Sequence, residues 1–464
     1  MKLGPQTFVM VGKLDMARDL LDKRNAIYSS RPRAPMVSEC VSKGYRTLFL
    51  PYGDKWRSYH RLHASVLNMR MSQTYRPIHD IESRQMLLEL TKPDAGERFP
   101  FYFFRYSASL IFSLAYGIRL PKGTEPEAQA VEHIMHELNW VFLHNWLVDM
   151  MPWLNVLPKV LAPWKRIADK MHDFEKAFLS KVIAEGEGKP GWNWTKSVLA
   201  SKDGKRMSRT EVGYIIGNLY EAGSDSSAVS MAVLVMAAIL YPKMASKAQE
   251  ELDRVVGPDR MPTFDDLDNL PFIHAIVKEL LRWRPVTPGG VPHAVIEDDE
   301  YMGYRIPKGT VILPNYWALA MDPDTFEDPE QFIPERWIEN PDVPVFSFGF
   351  GRRVCTGRHI AMNSLLITTA RLLWAFNIGH AYEVKDGVKV QCPVDPNAYT
   401  STFNSSPEPF KASFVPRSAK VLEVMNHEWA SAEKDHLVHL EHLQIKLENA
   451  AKEEKAAEEE KATS

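Results

Sequence analysis

A mainly α-helical fold with small β-sheets is what this sequence predicts, and three patterns carry the prediction. Most of the chain reads as helix-length segments whose apolar residues recur three and four positions apart. A capping box, Ser208-Arg-Thr-Glu211, opens the longest of them. Between His293 and Leu313 the pattern changes to short β-rich runs punctuated by turns. The chain has 464 residues, 45% apolar and 11% aromatic, enough to bury a large core. It shows no Gly/Ser-rich or Pro-rich linker and no internal repeat, so one large domain is the simplest reading.

In order along the chain, residues 7–11 are a strand candidate, and Asp15 is placed to cap a helix whose Ala17, Leu20 and Leu21 share a face. Further helices are expected at 55–68, 104–116, 128–146 and 165–185. From the capping box the longest helix should run to Pro242, roughly 50 Å at 1.5 Å per residue. Pro242 suits the first turn of the next helix, which should stop at Gly257. A helix over 272–283 precedes strands at 293–296, 301–306 and 310–313, with turns at Gly303 and at Pro307-Lys-Gly309. A helix-length apolar stretch covers 358–376. From about Ala430 the chain is rich in Glu, Lys and Ala, so residues 1–428 are expected to form the folded domain and 429–464 a charged tail, helical or disordered.

The formal net charge of -3 argues against a nucleic-acid binder, which needs a concentrated basic surface. The three cysteines, Cys40, Cys355 and Cys392, are widely spaced and form no C-x-x-C pair, so a disulfide framework and a zinc site are both disfavoured and a reducing compartment is implied. No run reaches the 18 or so apolar residues of a membrane span, and the N-terminus lacks the regions of a signal peptide. The longest apolar run, 229–240, reads as a buried helix.

The strongest chemical signal is Phe348-Gly-Phe-Gly351-Arg-Arg353-Val-Cys355-Thr-Gly357. It sets one cysteine in a glycine-rich loop with an arginine two positions before it, the arrangement that a thiolate ligand to haem iron requires. Gly351 and Gly357 permit backbone N–H groups to approach the sulfur, Arg353 can reach a haem propionate with paired charge-assisted hydrogen bonds, and Phe348 can shield the sulfur from water. The competing reading is a buried structural cysteine in a glycine-rich turn. Two weaker signals accompany the loop. Glu279 and Arg282 lie three apart on an apolar helix and can pair, with Arg336 waiting in the proline-framed Pro334-Glu-Arg-Trp337. Ala222-Gly-Ser-Asp225-Ser226-Ser227 interrupts the longest helix with poor helix formers and, read alone, is a helix break with Asp225 or Ser226 capping a second helix.

The cysteine string resembles the haem-binding loop of the cytochrome P450 superfamily, F-x-x-G-x-R-x-C-x-G, at every fixed position, and the resemblance extends from about Leu3 to Pro416. It implies the cytochrome P450 fold, haem b (iron protoporphyrin IX) as cofactor and Cys355 as the axial ligand of the iron. It implies that Glu279, Arg282 and Arg336 form a buried charge cluster that locks the cysteine loop under the haem. The 222–227 segment then resembles the family's A-G-x-D-T-T motif, where a widened helix admits O2, Asp225 takes protons from solvent and Ser226 passes them on. Serine here replaces the family's threonine; it keeps the hydroxyl and loses the methyl that restricts its rotamer. Trp56 corresponds to the family's W-x-x-x-R, with His60 in the arginine's place and Arg61 next to it as the fallback. His293, in Val291-Pro-His-Ala, matches a strand position that offers another propionate donor.

By resemblance the protein is a haem-thiolate monooxygenase of the eukaryotic, microsomal type, most similar to fungal members and so to enzymes of secondary metabolism. It is expected to insert one atom of O2 into a small hydrophobic substrate as a monomer. Electrons would come from an NADPH-cytochrome P450 reductase docking near Arg352 and Arg358. The alternatives are a haem-thiolate isomerase or dehydratase, against which Asp225 and Ser226 argue, and a non-catalytic truncated haem-binding protein. The chain begins where such proteins have already passed an N-terminal anchor, a first helix and a first strand. One membrane-facing feature remains: the apolar segment 147–164, with Trp153 and Trp164 beside Lys165 and Arg166, suits a headgroup boundary or a pocket lid. The expectation is peripheral contact with the cytosolic face of the endoplasmic reticulum.

Overall fold

The computed structural model describes residues 1–3 and 6–463, with backbone alone for residue 3 and for residues 454–463. The elements that position the site are, in order, β1 (Gln6–Val11), α1 (Asp54–Leu67), α2 (Arg76–Glu89), α3 (Ala95–Tyr116), α4 (Pro126–Leu143), α5 (Pro163–Gly188), α6 (Arg209–Leu240), α7 (Pro242–Val255), α8 (Pro271–Trp283), β2 (His293–Ala294), β3 (Val311–Pro314), α9 (Arg358–Ala375), β4 (Phe376–His380), β5 (Ala412–Pro416), α10 (Ala419–Ser431) and α11 (His436–Thr463). The fold is mainly helical, as expected, with one four-stranded sheet and three two-stranded ones among the described residues.

α6 is the axis of the molecule. Its capping box forms in both directions: Ser208 Oγ accepts from the Glu211 amide at 3.2 Å, and Glu211 accepts from the Ser208 amide at 3.1 Å. It is apolar on all sides because it is surrounded by protein; its mean hydropathy of 1.6 would allow a membrane crossing, but 78% of that window is buried in the fold. α3 packs along it, and the two helices come so close at Gly223 that a Cβ there would lie 2.9 Å from Ile111 Cγ1. Gly223 therefore admits a neighbouring helix instead of breaking its own. The helix runs through residues 222–227 without interruption, which corrects both the expected break and the expected widening. The serine hydroxyls fold back onto the backbone, Ser224 onto the Tyr220 carbonyl at 2.9 Å and Ser226 onto the Ala222 carbonyl at 2.8 Å, so they add bonds to the helix instead of competing with it.

The four-stranded sheet runs in the order Lys2–Leu3, β1, β3, β2. β1 is parallel to β3, with Phe8 opposite Val311, and β2 is antiparallel to β3, with His293 opposite Ile312. The ladder ends at Ala294, because the Ile296 amide turns to the Ile27 carbonyl, so the strand is shorter than expected. β4 follows α9 directly and pairs with the remote β5, which ends the helix at Ala375.

Other expectations are also corrected. Asp15 lies inside the first turn of the helix Leu14–Ala17 and makes no capping bond. α3 starts at Ala95 and not at 104, since Phe99 packs on Phe410 and Phe414. No helix is expected from the sequence over 76–89, where α2 lies. The 428/429 boundary falls inside α10, whose Val421, Val424 and Met425 are buried. The tail docks at its start: Leu440 and Leu443 of α11 are buried, and the Leu440 carbonyl accepts from the Trp192 amide at 3.1 Å. Residue 464 lies outside the described residues.

Candidate active site

One large cavity opens between α1, α3, α6, β2 and the loop that precedes α9. Its floor is the cysteine loop, built from two short 3-10 turns, Phe346–Phe348 and Gly351–Arg353. The Cys355 amide donates to the Phe348 carbonyl at 2.7 Å, and the Gly351 amide donates to Asp22 Oδ1 at 2.6 Å. Gly351 is required twice over. Its φ is +54°, and a Cβ would sit 2.1 Å from the Leu21 carbonyl oxygen. Gly357 differs from the expectation, since its φ is ordinary and a Cβ would make only a 3.8 Å contact with Cys355 Sγ. Cys355 is enclosed by protein everywhere except toward the cavity, where its sulfur is accessible. Burial pushes its thiol up, while the Gly357 and Arg358 amides and the Arg358 charge favour the thiolate. Cys40 and Cys392 are buried elsewhere and do not line the cavity.

One wall of the cavity carries cations without anions. Arg353 Nε donates to the Ser29 carbonyl and its Nη2 to the Leu50 carbonyl, both at 2.7 Å, while its guanidinium lies 4.4 Å from the centre of the Trp56 ring. Arg31 is buried beside it, donating to the carbonyls of Leu48, Val291 and Pro292. Burial lowers Arg31 to about 10; burial and the Arg31 charge lower Arg353 to about 9. His293 donates from Nδ1 to the Tyr28 carbonyl at 2.7 Å, and burial, Arg31 and Arg353 hold it well below its ordinary value. His60 stacks 4.7 Å from Trp56 and is also lowered, by burial and then Arg353. Among the described residues neither arginine has a carboxylate partner. Two guanidiniums, Arg31 buried and Arg353 half-buried, and two histidines facing one cavity with no carboxylate partner are a receptor for a dianionic group. Arg61, the fallback, points away, to Asp203 at 2.9 Å on the surface. Sequence reasoning missed Arg31, whose position is fixed only by contacts remote in sequence.

Behind the cysteine loop the three expected members of the charge cluster meet. Glu279 accepts from Arg282 Nε at 2.8 Å and Nη2 at 2.7 Å, from Arg336 at 3.3 Å, from Trp337 Nε1 at 2.9 Å and from the Ile333 amide at 2.9 Å. Arg282 also donates to the carbonyls of Ala320, Pro329 and Gln331. The loop is tied in through Ser347, whose hydroxyl donates to the Leu281 carbonyl of α8. Trp337, part of the same network, was not singled out in the sequence.

The roof of the cavity is α6. Ser226 lines it, and Asp225 does not; Asp225 turns to Asn404, whose Nδ2 donates to Oδ2 at 2.9 Å and which does line the cavity. Burial raises the Asp225 carboxyl, opposed by that single hydrogen bond. The acid that faces the cavity directly is Glu221, one turn earlier. It shares Arg46 with the buried Glu175, and Tyr214 donates to Glu175 at 2.9 Å. Burial pushes Glu221 up, Arg46 opposes this, and Glu175 adds to it. Phe49, Phe142 and Phe403 form a continuous aromatic row in the lining.

An open cysteine sulfur with amides aimed at it, facing a wall of unpaired cations, fits haem b: iron at Cys355 Sγ, propionates among Arg31, Arg353, His60 and His293. Comparison with known proteins agrees. The family profile described as Cytochrome P450 matches residues 1–390, and the chain belongs to this family. It is a haem-thiolate monooxygenase. Similar curated proteins include Cytochrome P450 monooxygenase aneD of Aspergillus aculeatus, 45% identical over 424 residues, covering 90% of this chain and 81% of that one. Cytochrome P450 monooxygenase drtD of Aspergillus calidoustus is 42% identical, covering 94% and 82%. Among solved structures, a zebra fish cytochrome P450 superposes with a TM-score of 0.73 at 23% identity, over 90% of this chain and 96% of that one, which shows the fold.

Proposed function

We propose that the enzyme inserts one oxygen atom of O2 into a small, mostly apolar substrate of fungal secondary metabolism, as a monomer, with electrons from an NADPH-cytochrome P450 reductase and protons conducted by Asp225 and Ser226. The observation that carries this reading is the single cavity that joins the Cys355 sulfur and the unpaired cations to an apolar aromatic row and a polar strip of α6. When bound, haem b supplies the oxidation chemistry, and the chain binds, orients and protonates.

Arg31 and Arg353 fix the cofactor's acidic edge, and an anion there would return His293 and His60 toward the protonated form that can donate to it. Leu48, Phe49, Ile111 and Phe142 exclude water and fit a hydrophobic substrate. Ser226 Oγ donates its one proton to the Ala222 carbonyl, so its lone pairs are left to accept a proton, and it hands one into the cavity by giving up that backbone bond. The raised Asp225 carboxyl can hold the replacement proton at its oxygen. Arg352, exposed, and Arg358 lie beside the cysteine loop and suit an acidic electron-transfer partner. The test is reconstitution with purified reductase: NADPH consumption matched by a product one oxygen heavier, by mass spectrometry, supports the reading, and consumption that no member of an apolar substrate library alters overturns it.

Peripheral contact with the endoplasmic reticulum membrane belongs to the same proposal, with its residues corrected. Trp153, Val156, Val160 and Leu161 are exposed, whereas Trp164 packs against the core and Lys165 is tied to the Asn155 and Leu157 carbonyls. No described residue of 147–164 lines the cavity, which disfavours the lid. The protein should float partly with liposomes, and Trp153→Ser with Val160→Ser should release it; flotation that these changes leave untouched removes the membrane role from this loop.

A further inference from the structure

Asp225 of α6, unlike Glu221, does not line the cavity, and the side chain that connects it is Asn404, in the loop that precedes β5. Three observations converge there. Asp225 has no ion-pair partner among the described residues, and the Asn404 amide is its one side-chain hydrogen bond. Asn404 is itself held: its Oδ1 accepts from Thr287 Oγ1 at 3.4 Å, its carbonyl accepts from Thr402 Oγ1, and the Ser405 amide donates to the Val286 carbonyl at 2.8 Å. Next to it, Phe403 stacks on Phe142 of α4 at 5.1 Å and 19°, and Phe142 meets Phe49 at 5.6 Å. Asn404, Thr287, Phe403, Phe142 and Phe49 all line the cavity.

We infer that Asn404 is the positioning residue of Asp225, and that through it the aromatic wall contacting the substrate sets where the acid points. This rests on the proton role proposed for Asp225 and extends it to a residue with no part in the resemblance. A neutral amide holds the carboxylate in place without fixing its charge, as an arginine would. A substrate that displaces Phe403 also displaces the neighbouring donor, so occupancy and proton supply are linked through one peptide unit. The distance is short enough for that link to be direct, because residues 403 and 404 are adjacent and each makes its contact through its side chain.

Isosteric exchange tests this. Asn404→Asp removes the donor and sets a second carboxyl beside Asp225, so the two should share a proton. In the resting protein, the infrared carboxyl band lost in Asp225→Asn should then titrate about one unit or more higher, and during turnover the share of NADPH electrons ending in peroxide should rise severalfold. Asn404→Leu, without added charge, should give the same rise in peroxide, and it covers the case in which Asn404→Asp does not fold. The exchange Asp225→Asn with Asn404→Asp re-forms the hydrogen bond with the acid on the wrong residue; thermal stability should return and coupling should not. An unchanged titration in Asn404→Asp, or full coupling in the exchanged pair, overturns the inference. If Asp225→Asn alone leaves coupling intact, the proton role falls instead, while the infrared shift still reports whether Asn404 sets the carboxyl.

Discussion

Glu279, behind the cysteine loop, accepts hydrogen bonds from two nitrogens of Arg282, from Arg336, from Trp337 and from the Ile333 amide; Asp225, over the other wall of the cavity, accepts from Asn404. Both are acids inside the same protein, and the difference lies in what surrounds them. Glu279 is ringed by two arginines and fixed donors, which tie the 333–337 stretch to its own helix. Asp225 has a neutral partner and burial that favours its protonated form. An iron ligand has to stay where it is, so the floor of the cavity is over-determined. On the proton role proposed above, Asp225 has to change state, and a single neutral partner leaves its carboxyl able to do so.

The contrast can be broken by substitution. The largest expected effect is Cys355→Ala, which should abolish the thiolate-type band of the CO-bound ferrous protein, because neither Cys40 nor Cys392 reaches the cavity. Next, Glu279→Ala leaves the buried Arg282 and the largely buried Arg336 without their carboxylate and should cost about 3–5 kcal/mol, read as a lower denaturant midpoint or as loss of haem during purification. By comparison Asp225→Asn and Ser226→Ala should leave the denaturant midpoint and the CO band nearly unchanged while lowering coupled turnover, by at most about 10² to 10⁴-fold. An Asp225→Asn protein as destabilised as Glu279→Ala would erase the distinction between floor and roof.

The same contrast decides what the sequence makes legible. Cys355, Arg353, Glu279 and Arg282 are readable because their chemistry depends on spacing within a loop or one helical turn, and Pro334-Glu-Arg336-Trp337 because prolines frame it. Arg31 and Asn404 act through partners 260 and 179 positions away, Val291 and Asp225, and carry no local signature. α6 and its cap were visible, since capping box and apolar run agree. α2 was invisible because its buried face carries His79, Glu82 and Ser83, which break the apolar period; Arg105, Arg119 and Ser109 on or just after α3 satisfy Glu82. The serines at 224 and 226 read as helix breakers, and only the fold shows their hydroxyls turned back onto the helix.

The smallest expected effect concerns two neutral histidines, one on each side. His79 of α2 meets Tyr106 Oη at 3.1 Å and Ser364 Oγ of α9 at 3.3 Å, on the side of the cysteine loop. His63 of α1 donates to the Ile215 carbonyl of α6 at 2.9 Å, on the side of the roof. Burial lowers His79 from 6.5 to about 3, with Arg76 adding to it, and lowers His63 from 6.5 to about 4. For a depressed histidine the unfolded chain binds the proton first, so stability is complete above pH 6.5 and falls on acidification until the folded value is reached. Each contributes a slope approaching about 1.4 kcal/mol per pH unit inside its window. Denaturant midpoints followed against pH should therefore flatten in both His63→Gln and His79→Gln between 6.5 and 4. Below pH 4 only His79→Gln should still differ from the parent in slope, because burial and the Arg76 charge keep His79 neutral to lower pH, while His63→Gln keeps a constant offset. Identical windows for the two variants would mean that floor and roof resist protonation equally, and that the asymmetry is confined to the two acids.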